Sequence, residues 1–148
     1  MASLNYRVAL LNTGLFYFCK VPKQFTLGKN ERLKSRKQIE LLFKNGRRIN
    51  DSGIRALYML QDAEEGQHNL QLGVSVSSRN FKRAVDRNRI KRLLRESWRL
   101  QKNDLRSRQE ENKKILLVFL IYTGKEMPAF HELNEAVHAI LNKLQNAK

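Results

Sequence analysis

The chain has 148 residues, 41% of them hydrophobic, with 29 Lys and Arg against 14 Asp and Glu for a formal net charge of +15. That length suits one domain with a single core, and the apolar content is compatible with a folded protein despite the charge. The one cysteine, Cys19, excludes an internal disulfide and a zinc-finger ligand set, and fits a cytoplasmic protein.

The cations are not spread evenly. Residues 20–48 hold ten Lys or Arg and two Glu, and residues 79–99 hold nine Lys or Arg with Asp86 and Glu96. These windows account for the whole net charge, so the remainder balances. Concentrated cation is the footprint of a polyanion binder, with nucleic acid favoured over an acidic protein or a membrane surface. At the N-terminus, VALLNTGLFYFCKV (8–21) is too short and interrupted to span a bilayer, and no small-x-small cleavage site follows it. Residues 1–24 read as an N-terminal extension, and 25–148 as the folded domain.

In chain order, Ser35 with Gln38 three residues on fits a capping box, and Ile39, Leu42 and Phe43 follow at helical spacing up to Gly46. This predicts a helix over 35–45. IRALYML (54–60) reads as a strand, and LQLGVSV (70–76) alternates cleanly, so a hairpin across the 61–69 connection is expected. A long helix is expected over roughly 84–103. ILLVFLIY (115–122) is a continuous apolar run, as a central strand covered on both faces would be. Pro128 then opens a last helix with Phe130, Leu133, Val137, Ile140, Leu141 and Leu144 on one face. The order α-β-β-α-β-α predicts an α+β fold, a two-layer sandwich with three helices on a small, mainly antiparallel sheet.

The segment DRNRIKRLLRESWR (86–99) carries the most specific pattern. At about 100° per residue, Ile90, Leu93, Leu94, Ser97 and Trp98 form one stripe, while Asn88, Arg92, Arg95 and Arg99 form a row on the opposite face, flanked by Arg89 and Lys91. A solvated helix face normally mixes Glu with Lys at i,i+4. This row has no anion, and Arg suits bidentate contact with phosphate and base edges. The helix is expected to dock by its stripe and present aligned guanidinium groups to solvent, where a polyanion can cover them. Phe43 and Tyr58, beside basic residues, suit stacking of single-stranded RNA in a basic groove. They suit two core aromatics equally well.

RNRIKRLLRE (87–96), after LGVSVS (72–77) and before an apolar strand and a closing helix, resembles the protein subunit of bacterial ribonuclease P. ERLKSRKQIELLFKNGR (31–47) looks like that family's opening helix, and the resemblance runs from about Phe25 to the C-terminus. It implies a left-handed β-α-β crossover around the basic helix, against the usual right-handed rule. It implies assembly with a catalytic RNA subunit that uses Mg²⁺ to remove the 5′ leader of precursor tRNA, with no cofactor, catalytic residue or metal ligand on the protein. The RNA subunit would meet Arg87, Asn88, Arg89, Lys91, Arg92 and Arg95, with Arg99, Lys82 and Arg83 extending the basic surface. A cleft between the first helix and the sheet would hold the leader against Phe43, Tyr58 and Arg36. Ile39 stands where many members carry an aromatic, and SSRNFKRAVD (77–86) departs from the usual loop while keeping its charge.

Two other readings meet the same residues. A self-contained nuclease needs clustered carboxylates or a positioned histidine. His68 falls in a polar loop, and His131 and His138 fall on the exposed side of the last helix. An architectural RNA binder such as a ribosomal protein fits the composition and the basic helix equally; the family resemblance separates the two. Membrane and DNA partners are not expected.

Overall fold

The computed structural model describes residues 27–62 and 69–146. Residues 1–24 with Cys19, His68, and most of the 61–69 connection lie outside them. The described elements are α1 (Arg36–Asn45), β1 (Arg47–Asp51), β2 (Ile54–Asp62), β3 (Leu70–Val76), α2 (Ala84–Gln101), α3 (Asn103–Asn112), β4 (Lys114–Tyr122) and α4 (Phe130–Asn146). The strands form one sheet in the order β1-β2-β4-β3. β1–β2 and β2–β4 are antiparallel, and β3–β4 is parallel. This is the expected α+β architecture with a mainly antiparallel sheet.

The expected hairpin between 54–60 and 70–76 does not form, because β4 lies between β2 and β3. β4 is apolar at almost every position, whereas β2 places Arg55, and β3 Gln71 and Ser75, on one face. The strand with two apolar faces therefore takes the interior and the half-polar strands flank it. β2 instead pairs with β1, a strand the apolar pattern does not reveal, since Ile49 is its sole apolar residue. Ser52 (φ 36°) and Gly53 (φ 77°) close this hairpin with two consecutive positive-φ residues, a turn whose twist matches that of the strands.

Two helix ends also differ from expectation. Ser35 precedes α1, but its side chain makes no capping hydrogen bond, so the capping box is not formed. Gly46 follows α1 at φ −70°, outside the left-handed region. Its need for glycine is spatial, since a Cβ there would lie 3.0 Å from Leu42 Cδ1 and closer still to Leu42 O. The long helix ends at Gln101, and after Lys102 the chain continues as α3, whose buried residues are just Leu105 and Gln109. So thin a stripe gives little helical signal. In α4 the expected apolar face is buried except for Phe130, which is exposed.

Alternation along the strands divides the side chains between two faces. On one face Ile54, Ala56, Tyr58, Leu72, Val118 and Leu120 pack under Ile90, Leu94 and Trp98 of α2, Leu105 of α3, and Val137, Ile140 and Leu141 of α4. On the other, Leu42 of α1 covers Leu57, Ile115 and Leu117. Helix α1 spans only part of that face, so Met59, Phe119 and Ile121 are left partly buried. Trp98 is fully buried, and its indole N–H meets no acceptor among the described residues.

The segment before α1 is bound to the outer edge of β3. Leu72 N–H donates to Glu31 O at 2.8 Å, and Leu33 N–H donates to Leu72 O at 2.9 Å. A buried ion pair fixes this arrangement. Lys102 Nζ, fully buried at the α2–α3 junction, lies 2.5 Å from Glu31 Oε2, and Arg106 Nη1 lies 3.4 Å from Glu31 Oε1. Burial opposes ionisation of Glu31, but the Lys102 hydrogen bond, the Gly28 N–H at 2.8 Å and the charges of Lys102 and Arg106 outweigh it and hold the carboxyl below its usual value.

Two outcomes follow from this packing. Trp98→Ala should destabilise the fold by about 3–5 kcal/mol, whereas Trp98→Phe keeps most of the volume, loses no hydrogen bond and should cost much less; urea unfolding measures both. Because the folded-state pKa of Glu31 is depressed, its stabilisation is complete above the ordinary value of 4.5 and disappears as pH falls through the lower folded value. Glu31→Gln should destabilise by about 3–5 kcal/mol, since Lys102 is left buried without its counter-charge, and Glu31→Gln/Lys102→Met should recover much of that loss. Denaturation midpoints at neutral and acid pH test both, and the Glu31→Gln chain should lose part of the acid sensitivity.

Candidate nucleic-acid interface

Helix α2 is oriented as its periodicity requires. Ile90, Leu94, Ser97 and Trp98 are buried, Leu93 is partly buried, and Asn88, Arg89 and Arg92 are exposed. Lys91, Arg95 and Arg99 are half-buried at the edges of the exposed surface. The docked stripe thus holds the cationic row in a fixed geometry.

Two of the helix's cations are engaged within the protein. Arg87 Nη1 donates to Phe81 O at 2.8 Å and Lys82 O at 2.6 Å, tying the start of α2 to the preceding loop. Arg99 forms a two-pronged pair with Glu96, Nη2–Oε1 at 2.5 Å and Nε–Oε2 at 2.9 Å, so the row does contain an anion at its C-terminal end. The altered 77–86 loop is firmly seated. Phe81 is buried against Tyr122 with ring centroids 5.9 Å apart, and Asn80 Nδ2 donates to Thr123 O and Gly124 O. Lys82 and Arg83 are exposed beside it, contiguous with the row.

The row gains a member from outside the helix. Arg32 pairs with Leu72 at the edge of β3, on the sheet face that α2 covers. Its charge reaches Arg95: burial first, then Arg32 and Arg92, lower the Arg95 pKa. Three guanidinium groups therefore converge from two separate segments. Arg32 belongs to the first basic window of the sequence, but nothing local there shows that it will face α2.

The residues proposed for a leader cleft do not all converge. Arg36 is exposed in the first turn of α1. Phe43 is 44% exposed on the same helix, its ring edge-on to Phe119 at 5.3 Å and 68°. Tyr58 is buried in the core under α2 and α4, on the opposite face of the sheet. It shares parity with Ile54 and Ala56 along β2, so it joins their face. Its ring borders a cavity of about 300 Å³ with Arg47, Met59 and Lys114.

The partners that accompany Phe43 are ones the sequence did not single out. Cross-strand register aligns Arg48, Leu57, Phe119 and Gly73 in one row, and Asn50, Arg55, Ile121 and Ser75 in the next, all on the α1 face. Arg48 and Arg55 are exposed, and Phe119 and Ile121 are partly buried on the same face. In a strand apolar throughout, neither face stands out as the open one, so the role of Phe119 was not legible. Arg48, Arg55 and Phe119 thus share the α1 face of the sheet, with Phe43 against Phe119, while Arg36 lies two turns before Phe43 on α1.

Among the described residues, no three His, Cys, Asp or Glu side chains converge as a metal site, and no helix is long and apolar enough to cross a membrane. His131 and His138 are exposed on α4, with His138 Nδ1 3.0 Å from Gln101 Oε1.

Known proteins with this arrangement are consistent among themselves. The family model for ribonuclease P matches residues 27–145. The ribonuclease P protein component of Porphyromonas gingivalis is 32% identical over 123 residues, covering 83% of this chain and 89% of that protein. That of Caldanaerobacter subterraneus subsp. tengcongensis is 33% identical over 113 residues, covering 76% and 87%. The ribonuclease P protein structure of Staphylococcus aureus superposes with a TM-score of 0.61 at 18% identity, covering 78% of this chain and 95% of that one. The Thermotoga maritima structure gives 0.59 at 24% identity, covering 76% and 96%. The α+β sheet with its basic crossover helix and the matched sequence lead to one assignment: the chain belongs to the ribonuclease P protein component family.

Proposed function

We propose that this chain is the cytoplasmic protein subunit of a ribonucleoprotein endonuclease, binding a catalytic RNA subunit through α2 and the 5′ leader of precursor tRNA through the α1 face. The observation that carries this reading is the cationic surface of α2, set rigidly opposite a buried stripe and left largely without internal counter-charge. Arg89, Lys91, Arg92, Arg95 and Asn88 are its central contacts, Lys82 and Arg83 extend it, and Arg32 is added from the β3 edge. Arg87 serves it chiefly by holding the loop, and Arg99 by closing its end against Glu96. The left-handed sense of the β3–α2–α3–β4 crossover, which the family resemblance implies, is part of the proposal.

The protein's role in cleavage is recognition. In this reading the ion required for hydrolysis is held by the RNA, which supplies the catalytic step, and the protein supplies no metal ligand of its own. The protein contributes affinity for the fold of the RNA at one surface and for an unpaired strand at the other. In this reading Phe43 and Arg36 meet the leader, while Tyr58, on the other face, supports the core and lines a cavity of its own.

The test is reconstitution with the organism's candidate RNA, measuring cleavage of precursor tRNA at low and high Mg²⁺. Protein is expected to lower the Mg²⁺ requirement, and cleavage by protein alone would overturn the reading. Affinity for the RNA should fall steeply with salt, because neutralising several phosphates releases several counterions. Arg92→Ala should weaken assembly without unfolding the protein and without changing the preference for precursor over mature tRNA. Phe43→Ala should do the reverse, lowering that preference by about one order of magnitude.

A further inference from the structure

We infer that Phe119, leaning across Gly73 with Phe43 as its wall, is a stacking shelf for one unpaired base of an RNA strand. The inference rests on the reading of the α1 face as the leader cleft and names the surface on which the strand is held.

Three observations converge on this position. First, register places Phe119 directly beside Gly73 on the parallel neighbour strand. A Cβ built on Gly73 would lie 2.5 Å from Phe119 Cε2 and closer still to Cδ2. The ring thus occupies the space that any other residue at 73 would fill. A side chain in a sheet ordinarily stands up from the strand; here the missing neighbour lets the ring lean over and broaden into a platform.

Second, α1 buries Leu57, Ile115 and Leu117 but leaves Phe119 partly buried, touched edge-on by Phe43 at 5.3 Å. Among the described residues, Phe43 and Phe119 supply the aromatic rings of this face, since Tyr58, Phe81, Trp98 and Tyr122 lie in the opposite core. Ile39, Leu42, Leu57, Ile115 and Leu117, where α1 meets the sheet, are aliphatic and cannot stack in the same way.

Third, the cations stand where a backbone would run. Arg48 shares the cross-strand row of Phe119, Arg55 lies in the next row, and both are exposed. An aromatic platform flanked by arginines on an open sheet face matches single-stranded nucleic acid, whose bases stack while its phosphates are neutralised nearby. Stacking alone reads no base identity, so the shelf should accept any base.

The test uses the full chain and a six-nucleotide single-stranded RNA carrying one 2-aminopurine, followed by fluorescence. The wild-type protein should bind and quench the probe. Phe119→Leu should weaken binding by about 5- to 150-fold and lose the quench, whereas Phe119→Tyr should keep both. Gly73→Ala, which displaces the ring, should behave like Phe119→Leu. Thermal melting confirms that each variant is folded, and if Gly73→Ala does not fold, the Leu and Tyr pair decides alone. Unchanged binding and quench in Phe119→Leu overturns the shelf, as does a wild-type protein that leaves the probe unquenched. In the reconstituted holoenzyme, loss of leader preference in Phe43→Ala with full preference in Phe119→Leu overturns the shelf and leaves the cleft standing. Full preference in both variants overturns the cleft reading and the shelf with it.

Discussion

Everything in this fold is arranged around β4, the strand that must be covered on both faces. Its run of Ile115 to Tyr122 can be buried only between two neighbours and beneath two layers of side chains, so β2 takes one edge and β3 the other. A parallel β3–β4 pair cannot be joined by a tight turn and needs a long crossover. Helices α2 and α3 supply it. The basic helix is therefore the connection that the central strand demands, packed on the sheet by its apolar stripe with its cations turned outward. Placing β4 at the centre also fixes which residues share the α1 face, and with them the row that brings Phe119 beside Gly73.

The ion pair of Glu31 with Lys102 sets a second constraint. Ion pairs in dry surroundings stabilise little compared with apolar replacements, but they penalise any arrangement that separates them. Here the pair joins the β3 edge to the α2–α3 junction, so the segment preceding α1 has one position. Arg32, the next residue, is thereby directed toward Arg92 and Arg95. The repulsion within that cluster is sustained by covalent and packing constraints on both sides. Such a site is favourable for a polyanion, whose phosphates relieve the repulsion and gain charge-assisted hydrogen bonds at once.

The two basic surfaces lie on different sides of the sheet and have different chemistry. The α2 surface is arginine-rich and fixed, suited to a folded RNA whose phosphates hold a fixed pattern. The α1 face has rings, an open floor and scattered cations, suited to a strand whose bases are unstacked. Phe43 and Phe119 meet edge-on on that second face.

The residues of α2 determined their own outcome, because a helix with a 3.6-residue period needs no knowledge of its neighbours to separate Ile90, Leu94 and Trp98 from Arg92. The central role of β4 and the buried face of α4 were legible for the same reason. The position of Tyr58 could have been read from its parity with Ile54 and Ala56, which assigns it to the core once β2 is half-buried. Strand β1 and helix α3 bury too few apolar side chains to show a period, so only contacts with distant partners make them visible. Which strands pair, that Lys102 is buried against a residue 71 positions away, and that Phe43 meets Phe119 were decided by the tertiary structure. Periodicity reports which face of an element avoids water; it carries no information about which element covers that face or where the cover stops.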